Sequence, residues 1–103
     1  MHYNARVVGE SVDIEVVELQ WDGPIVTHIA RHDVSRGDVE YALANNPLFF
    51  MNLPGQSATH LMIGRDGRDR ILYVPILMTV VPGRWLVVSA WESRFARRLY
   101  EGR

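Results

Sequence analysis

The stretch that decides the fold is His60–Ile76, HLMIGRDGRDRILYVPI, in which two apolar runs flank a segment of arginine, aspartate and glycine. Apolar runs of this length that contain β-branched residues are typical of buried strands. Asp66-Gly67 lies between the runs, and this dipeptide favours a tight hairpin turn because both residues adopt the backbone angles that such turns require. The stretch therefore predicts an antiparallel β-hairpin with a charged turn.

Short connections continue this hairpin into a larger sheet. Turn dipeptides such as Pro82-Gly83 separate neighbouring strand-like runs, and connections this short join strands only in antiparallel orientation. Pro75 has no N–H to donate, so we expect it at a sheet edge or at a bulge. Val12–Leu19 alternates apolar and acidic residues like a half-buried strand, although the alternation shifts at Val16-Val17. The other predicted strands are Leu48–Leu53, Ala58–Arg65, Arg70–Val81 and Trp85–Ala90.

Two short helices are predicted between the first strand and the meander. Asp22-Gly23-Pro24 is typical of a helix start, with Asp as the cap and Pro in the first turn, and this helix is expected to end near Arg31. Ser35 followed three residues later by Asp38 predicts the capped start of a second helix. Asn45-Asn46-Pro47 then ends it.

A third helix is predicted at the C-terminus, where Trp91, Phe95 and Leu99 recur every four residues. The predicted fold class is α+β: a twisted antiparallel sheet of about four to five strands with two N-terminal helices and one C-terminal helix. Residues 1–103 are expected to form one domain. Residues 1–11 are expected to form either a flexible extension or an edge strand.

Composition limits the class of protein. The chain has no cysteine, which excludes disulfides and thiolate chemistry, and its longest apolar run, residues 71–82, is too short to span a bilayer. We therefore expect a cytoplasmic protein that has no membrane partner. The net charge of −1 conceals an asymmetry, since eight of the eleven basic residues, all of them arginine, fall in the second half of the chain. A basic half either meets an anionic partner or neutralises the acidic half within the fold.

His28 and His32 are four residues apart, as in a helical metal site, but two features argue against a metal ion. The zinc-protease pattern needs a glutamate directly after the first histidine, where this chain has Ile29, and no third ligand is nearby. We therefore expect neither a metal nor any other cofactor. The alternative for His32 is hydrogen bonding to backbone carbonyls at the end of the helix.

The charged turn has two interpretations. Asp66, Gly67, Arg68 and Asp69 read as turn residues, exposed and replaceable. Arg65 and Arg70 are at strand ends, and on a concave sheet they would converge with His60 and Arg94 on a phosphate.

Such a convergence suffices in principle for RNA cleavage without a metal. A ribose 2′-hydroxyl attacks the adjacent phosphate, a base accepts its proton, and cations stabilise the charge that develops. In this scheme His60 or Glu92 is the base. The candidate catalytic residues are His60, Arg65 and Arg94. The candidate substrate-binding residues are Arg70, Arg84, Tyr73 and Tyr100.

The order of short motifs resembles the BrnT toxin family. The likeness covers residues 19–100 and is carried by Trp21-Asp22, His32, Gly64-Arg65 and Ser89-Ala90. The resemblance implies a RelE-like fold, ribonuclease activity on mRNA as the toxin of a type II toxin–antitoxin system, and RNA as the substrate. It also implies neutralisation by a cognate ribbon-helix-helix antitoxin. Apart from the resemblance, a homo-oligomer is a further option.

Two positions depart from the pattern of that family. Asp33 stands where the family usually has glycine, and Trp91 stands where it usually has arginine. An indole cannot neutralise a phosphate, so the alternative is a non-catalytic protein-interaction domain that retains the fold and binds a neighbour-encoded partner. A third hypothesis is a ParE-like fold that acts on gyrase or on another protein.

Overall fold

The computed structural model describes residues 10–102, so most of the segment 1–11, expected to form a flexible extension or an edge strand, lies outside the described part. The predicted α+β class is confirmed, with three helices and a six-stranded sheet. In chain order the elements are β1 (Glu18–Gln20), α1 (Gly23–Ala30), α2 (Arg36–Leu43), β2 (Leu48–Met51), β3 (His60–Arg65), β4 (Ile71–Met78), β5 (Arg84–Val87), β6 (Trp91–Glu92) and α3 (Arg94–Glu101). Within residues 10–102 no helix is both long and apolar enough to cross a membrane.

The sheet has the order β1-β5-β4-β3-β2, and β6 also pairs with β4. Strands β2 to β5 form the predicted antiparallel meander. The sheet as a whole is mixed, however, because β1 runs parallel to β5. The sequence prediction of a wholly antiparallel sheet is therefore wrong at this edge. A parallel neighbour requires a long connection, and here α1, α2 and the meander together supply it.

The predicted strand at Val12–Leu19 is wrong over most of its length. Ser11 bridges to Phe50 in β2, whereas Glu18 pairs with Arg84 on the opposite edge, so the chain between them crosses one face of the sheet. Its residues alternate between half-buried and exposed as the pattern indicates, but β pairing begins only at Glu18. Apolar alternation reports which side chains face the protein and not which backbone groups pair. The phase shift coincides with Val17, whose exposed fraction is 68%.

Helices cover both faces of the sheet. On one face, hereafter the α1–α2 face, Ile29, Val34 and Val39 pack against sheet residues such as Val74. On the other, the α3 face, Ala96 and neighbouring apolar residues of α3 pack against β2, β3 and β4. The sheet is therefore the middle layer of three.

Local capping sets the helix boundaries. The predicted capping box is confirmed: the Asp38 backbone N–H donates to the Ser35 hydroxyl at 3.1 Å, and the Ser35 N–H donates to the Asp38 carboxylate at 2.8 Å. Asp22 occupies the N-cap position of α1, but its side chain makes no capping hydrogen bond. The Ser93 hydroxyl caps α3, so Trp91 belongs to β6, and its predicted place on the C-terminal helix is wrong.

Pro75 lies opposite a β-bulge, as predicted. Ile76 faces Val87 and Tyr73 faces Trp91, so the chain that pairs with β4 carries one extra residue between β5 and β6. The Pro75 carbonyl accepts a hydrogen bond from the Val88 N–H at 2.9 Å. Since the N–H and C=O of a strand residue point to the same neighbour, the N–H that proline lacks would face this bulge. The residues of the bulge, Val88–Ala90, leave the regular ladder.

The buried carboxylate of Asp66 joins the hairpin to the helices. Asp66 is 2% exposed, so its predicted assignment as an exposed and replaceable turn residue is wrong. It accepts hydrogen bonds from the backbone N–H of Arg68 and of Arg70, and from the Arg70 guanidinium at 2.7 Å. The same guanidinium donates to the Asp33 carbonyl at 2.8 Å and to the Asp38 carboxylate at 3.2 Å. We call Asp33, Asp38, Asp66 and Arg70 the clamp.

The clamp holds Asp38 in its charged form. Burial raises the pKa of this carboxyl, but hydrogen bonds from Ser35 and the positive charges of Arg68 and Arg70 outweigh burial and lower the pKa below 3.8. Asp33 adopts a φ of 60°, in the left-handed region, and its carbonyl accepts from both Arg68 and Arg70. The α1–α2 connection is therefore fixed from the sheet side.

Substitution of Gly64 by alanine should destabilise the fold by about 1 to 3 kcal/mol, as overpacking does. A Cβ at Gly64 would lie 3.1 Å from the Ala42 carbonyl oxygen and 3.4 Å from the Pro47 Cβ, so α2 would have to move away from β3. Chemical denaturation measures the effect. Gly37→Ala is the matched control, because its nearest neighbour would be 3.7 Å away and alanine favours the helix. Equal stability of Gly64→Ala and wild type would contradict this packing.

Removal of the Arg70 guanidinium should lower the free energy of unfolding by about 3 to 5 kcal/mol, because Asp66 would remain buried without its partner. Arg70→Lys keeps the charge but loses the fork of donors, so we expect an intermediate loss. Arg84→Ala is the control, since its ion pair with Glu18 is exposed and should contribute less than about 1 kcal/mol.

Wild type and Arg70→Ala also test whether Asp38 is charged in the folded protein. A carboxyl whose pKa is lowered by folding stabilises the fold at every pH above its pKa in the unfolded chain, here 3.8. This stabilisation is lost as the pH falls through the pKa of the folded protein. The stability difference between wild type and Arg70→Ala should therefore narrow in acid. A difference that stays constant from pH 7 to pH 3 would show that Asp38 takes no part in the clamp.

Candidate active site

The predicted catalytic residues His60 and Arg65 lie on opposite faces of β3. Residues five apart in a strand point to opposite sides of the sheet. The His60 ring packs edge-on against Trp85 of the α1–α2 face, with ring centroids 4.8 Å apart. The Arg65 guanidinium lies over the Tyr100 ring of α3, 5.7 Å from its centroid. The convergence of these two residues that the sequence scheme requires is therefore not formed.

His60 sits in a partly buried setting. Burial lowers the pKa of this imidazole, which favours its neutral form, and the Thr59 hydroxyl lies 2.8 Å from Nδ1. Its ring contact with Trp85 fills space beside the N-terminal crossing segment, whose Glu15 carbonyl accepts from the Trp85 indole N–H at 2.9 Å. These contacts account for His60 as a packing residue.

Most of the predicted phosphate-binding arginines are engaged within the protein. Arg65 pairs with Asp69, Arg70 belongs to the clamp, and Arg84 pairs with Glu18 at 3.1 Å on the β1 edge. Arg94, the first residue of α3, is exposed, and its side chain forms no hydrogen bond or ion pair with residues 10–102. Of the four, Arg94 alone is left with its charge uncompensated by a neighbour in the described chain.

The two predicted tyrosines occupy different positions on the α3 face. The Tyr100 hydroxyl donates to the Asn46 carbonyl at 3.0 Å and so ties α3 to the end of the α2–β2 connection. The Tyr73 ring stacks on Trp91 with centroids 4.8 Å apart and an angle of 28° between the ring planes. Burial raises the pKa of the Tyr73 phenol, which therefore stays neutral.

The bulge opposite Pro75 forms the wall of a cleft that holds two histidines. This histidine cleft has a volume of about 440 Å³ and is lined by His28, His32, Ser89, Trp91 and Glu92. Helix α1 supplies His28, the turn that follows it supplies His32, and the extra residue between β5 and β6 brings Ser89 opposite them. Bulges commonly redirect side chains in this way next to active sites.

The geometry of the histidine cleft suits proton transfer. The His28 and His32 rings meet edge to face with centroids 5.3 Å apart, and the His32 ring lies 6.2 Å from the Trp91 ring. Both histidines and Glu92 are exposed, so a substrate can reach them. Among residues 10–102 no group of three or more metal-ligand side chains is placed to bind a metal ion. The cleft therefore offers two imidazoles and a carboxylate as proton donors and acceptors.

Two further depressions adjoin the histidine cleft. One of about 630 Å³ runs along α1, shares His28, and includes Arg31 at the end of the helix. The other, the amide cleft, has about 380 Å³ and shares Ser89 and Trp91. Its lining consists of Asn52, Leu53, Gln56, Ser57, Ala58, Tyr73, Pro75, Val88, Ser89 and Trp91.

Sequence reasoning identified the members of the histidine cleft without combining them. His28 and His32 stood out by their spacing, Glu92 as an alternative base, and Ser89 as part of a short motif. Only the one-residue register shift between β5 and β6 places Ser89 and Glu92 beside α1. Comparison of the chain with protein-family models, curated proteins and solved structures finds no match.

Proposed function

We propose that this chain is a metal-independent endoribonuclease, the toxin component of a type II toxin–antitoxin system of the BrnT-like kind. One observation carries the proposal: two exposed imidazoles 5.3 Å apart share a cleft with a carboxylate. Cleavage of RNA through its own 2′-hydroxyl needs one group that accepts a proton and one that donates a proton. A pair of histidines supplies both near neutral pH.

The reaction follows from these roles. One neutral imidazole accepts the proton of the 2′-hydroxyl while the 2′-oxygen bonds to phosphorus. The other imidazole, protonated, donates to the 5′-oxygen as the bond from phosphorus to that oxygen breaks. The products are a 2′,3′-cyclic phosphate and a free 5′-hydroxyl. Arg31, which lines the depression that shares His28 with the histidine cleft, is a cation available to stabilise the phosphorane.

The resemblance to the BrnT family agrees with this site in two respects. Residues of two of the shared motifs, His32 and Ser89, line the same cleft. Asp33, where that family usually has glycine, has a φ of 60°, a conformation that favours glycine and that Asp adopts more readily than most other residues. The departure at Trp91 places an indole, and not a cation, in the wall of the cleft.

Purified protein should cleave single-stranded RNA in the presence of EDTA, and His28→Ala and His32→Ala should each lower the rate by roughly 100-fold or more, the range that general acid–base catalysis supplies. Gel analysis of end-labelled RNA measures the rates and identifies the cyclic phosphate.

His60→Gln and Arg65→Ala are the controls, because these residues define the rival site predicted from sequence. We expect both variants to retain activity. Loss of cleavage in Arg65→Ala together with full activity in His32→Ala would contradict the histidine cleft as the active site and would place the active site on the α3 face. Cleavage that EDTA abolishes would contradict a metal-independent mechanism.

A protein-interaction role is the second candidate function, and an exposed apolar patch favours it. The β4–β5 hairpin exposes the side chains of Met78, Val80 and Val81, and Val80 is 99% exposed. The neighbouring Val17 is exposed as well. The Val17 N–H donates to the Gly83 carbonyl at 2.8 Å, which keeps Val17 against the hairpin. Several exposed apolar side chains on one hairpin are typical of partner-binding sites. The proposed occupant is the ribbon-helix-helix antitoxin encoded beside the toxin.

Met78→Asp should abolish co-purification with a neighbour-encoded partner, because a carboxylate would be buried in the apolar contact. Met51→Asp is the matched control, since Met51 is also an exposed methionine at a strand end, in the edge strand β2 and two strands away from β4. Pull-down from co-expressing cells measures the association. Equal partner recovery with both variants would show that the patch is not the binding surface.

A further inference from the structure

We propose that the amide cleft is a subsite for one unpaired nucleobase, and that Gln56 and Ser57 determine which base it accepts. The inference rests on the proposed function, because it assigns the neighbour of the phosphate that the histidine cleft would bind. Of the residues that line the amide cleft, the sequence predicted only Tyr73 as a substrate-binding residue.

The first support is the chemistry of the lining. No residue that lines the amide cleft within the described chain carries a formal charge, in contrast to the histidine cleft with Glu92 and its imidazoles. A neutral cleft suits a planar, uncharged ring and offers nothing to balance a phosphate. We therefore assign the base of a nucleotide to the amide cleft and its phosphate to the histidine cleft.

The second support is the rigid aromatic wall. Trp91 is stacked on Tyr73, which in turn contacts Phe95 of α3 with ring centroids 6.4 Å apart. Trp91 and Ser89 line both clefts, so a base against this wall adjoins the histidines. Stacking on aromatic side chains is the general way in which proteins bind unpaired bases.

The third support is a fixed loop opposite that wall. The Asn52 side chain donates to the Ala58 carbonyl at 2.8 Å and accepts from the Leu53 N–H at 2.8 Å, and the Asn52 backbone N–H donates to the Thr59 carbonyl at 2.9 Å. These bonds tie the two ends of the loop together. Gln56 and Ser57 are exposed on it, and their side chains make no hydrogen bond to residues 10–102. An amide and a hydroxyl that are free to donate and accept can read the edge of a base.

Binding of a short 2′-O-methyl RNA, which lacks the nucleophile and cannot be cleaved, tests the subsite directly. Trp91→Leu should weaken binding by roughly 5- to 150-fold, the effect of losing one stacked base, and Trp91→Phe should restore most of it. An oligonucleotide with one abasic position should bind wild type as weakly as the complete oligonucleotide binds Trp91→Leu. The abasic change should then have no further effect on Trp91→Leu, because the two changes remove the same contact.

Base preference tests the loop. Gln56→Ala and Ser57→Ala should each narrow the difference in affinity among oligonucleotides that differ in the base at the position found with the abasic series. Gln20→Ala is the matched control, because Gln20 is an exposed glutamine of β1 on the other edge of the sheet.

The subsite and the ribonuclease can fail separately. Cleavage of ordinary RNA by wild type, with analogue affinity unchanged in Trp91→Leu, would overturn the subsite and leave the ribonuclease. Affinity that depends on Trp91 in a protein that cleaves no RNA would sustain the subsite and remove the ribonuclease. Absence of any analogue binding by wild type, or additive losses from Trp91→Leu and the abasic position, would also overturn the subsite.

Discussion

The buried carboxylate of Asp66 is the interaction on which the arrangement of layers depends. It must remain paired, since an isolated buried charge costs several kcal/mol, and Arg70 is the partner that satisfies it. The remaining N–H groups of the Arg70 guanidinium donate to the Asp33 carbonyl and to the Asp38 carboxylate. One guanidinium therefore closes the β3–β4 turn, holds the α1–α2 connection and holds the first turn of α2. The position of His32 follows from that connection.

A second constraint comes from the backbone at Pro75. A proline in a central strand leaves one neighbour without a donor, and the chain responds with an extra residue between β5 and β6. The strand is interrupted there, and Ser89 and Trp91 become the wall between the histidine cleft and the amide cleft. The clefts of the proposed ribonuclease lie where the regular hydrogen-bond ladder fails. Regular sheet would have offered no such concavity.

The sequence predicted the elements well wherever a local cause sets them. The Ser35 capping box and the meander of short connections both follow from residues that are close together in the sequence. Predictions failed where burial or pairing depends on distant residues. Asp66 appeared as an exposed turn residue because no local pattern indicates that its carboxylate pairs with Arg70, whose guanidinium also reaches Asp33 and Asp38. Val12–Leu19 has the alternation of a strand, yet it crosses a sheet face without a pairing partner over most of its length.

The same division applies to the candidate site. The sequence by itself determined the α+β class, the starts of α1 and α2, the hairpin turns and the list of residues that can carry a proton or a charge. Only the tertiary structure decided which of these residues lie close together. Side chains alternate along β3, so His60 and Arg65 point to opposite faces of the sheet. The extra residue between β5 and β6 turns Ser89 and Trp91 toward His32. Side-chain direction in a sheet alternates with every residue, so a single-residue shift in register, which no local pattern reveals, exchanges one set of neighbours for another.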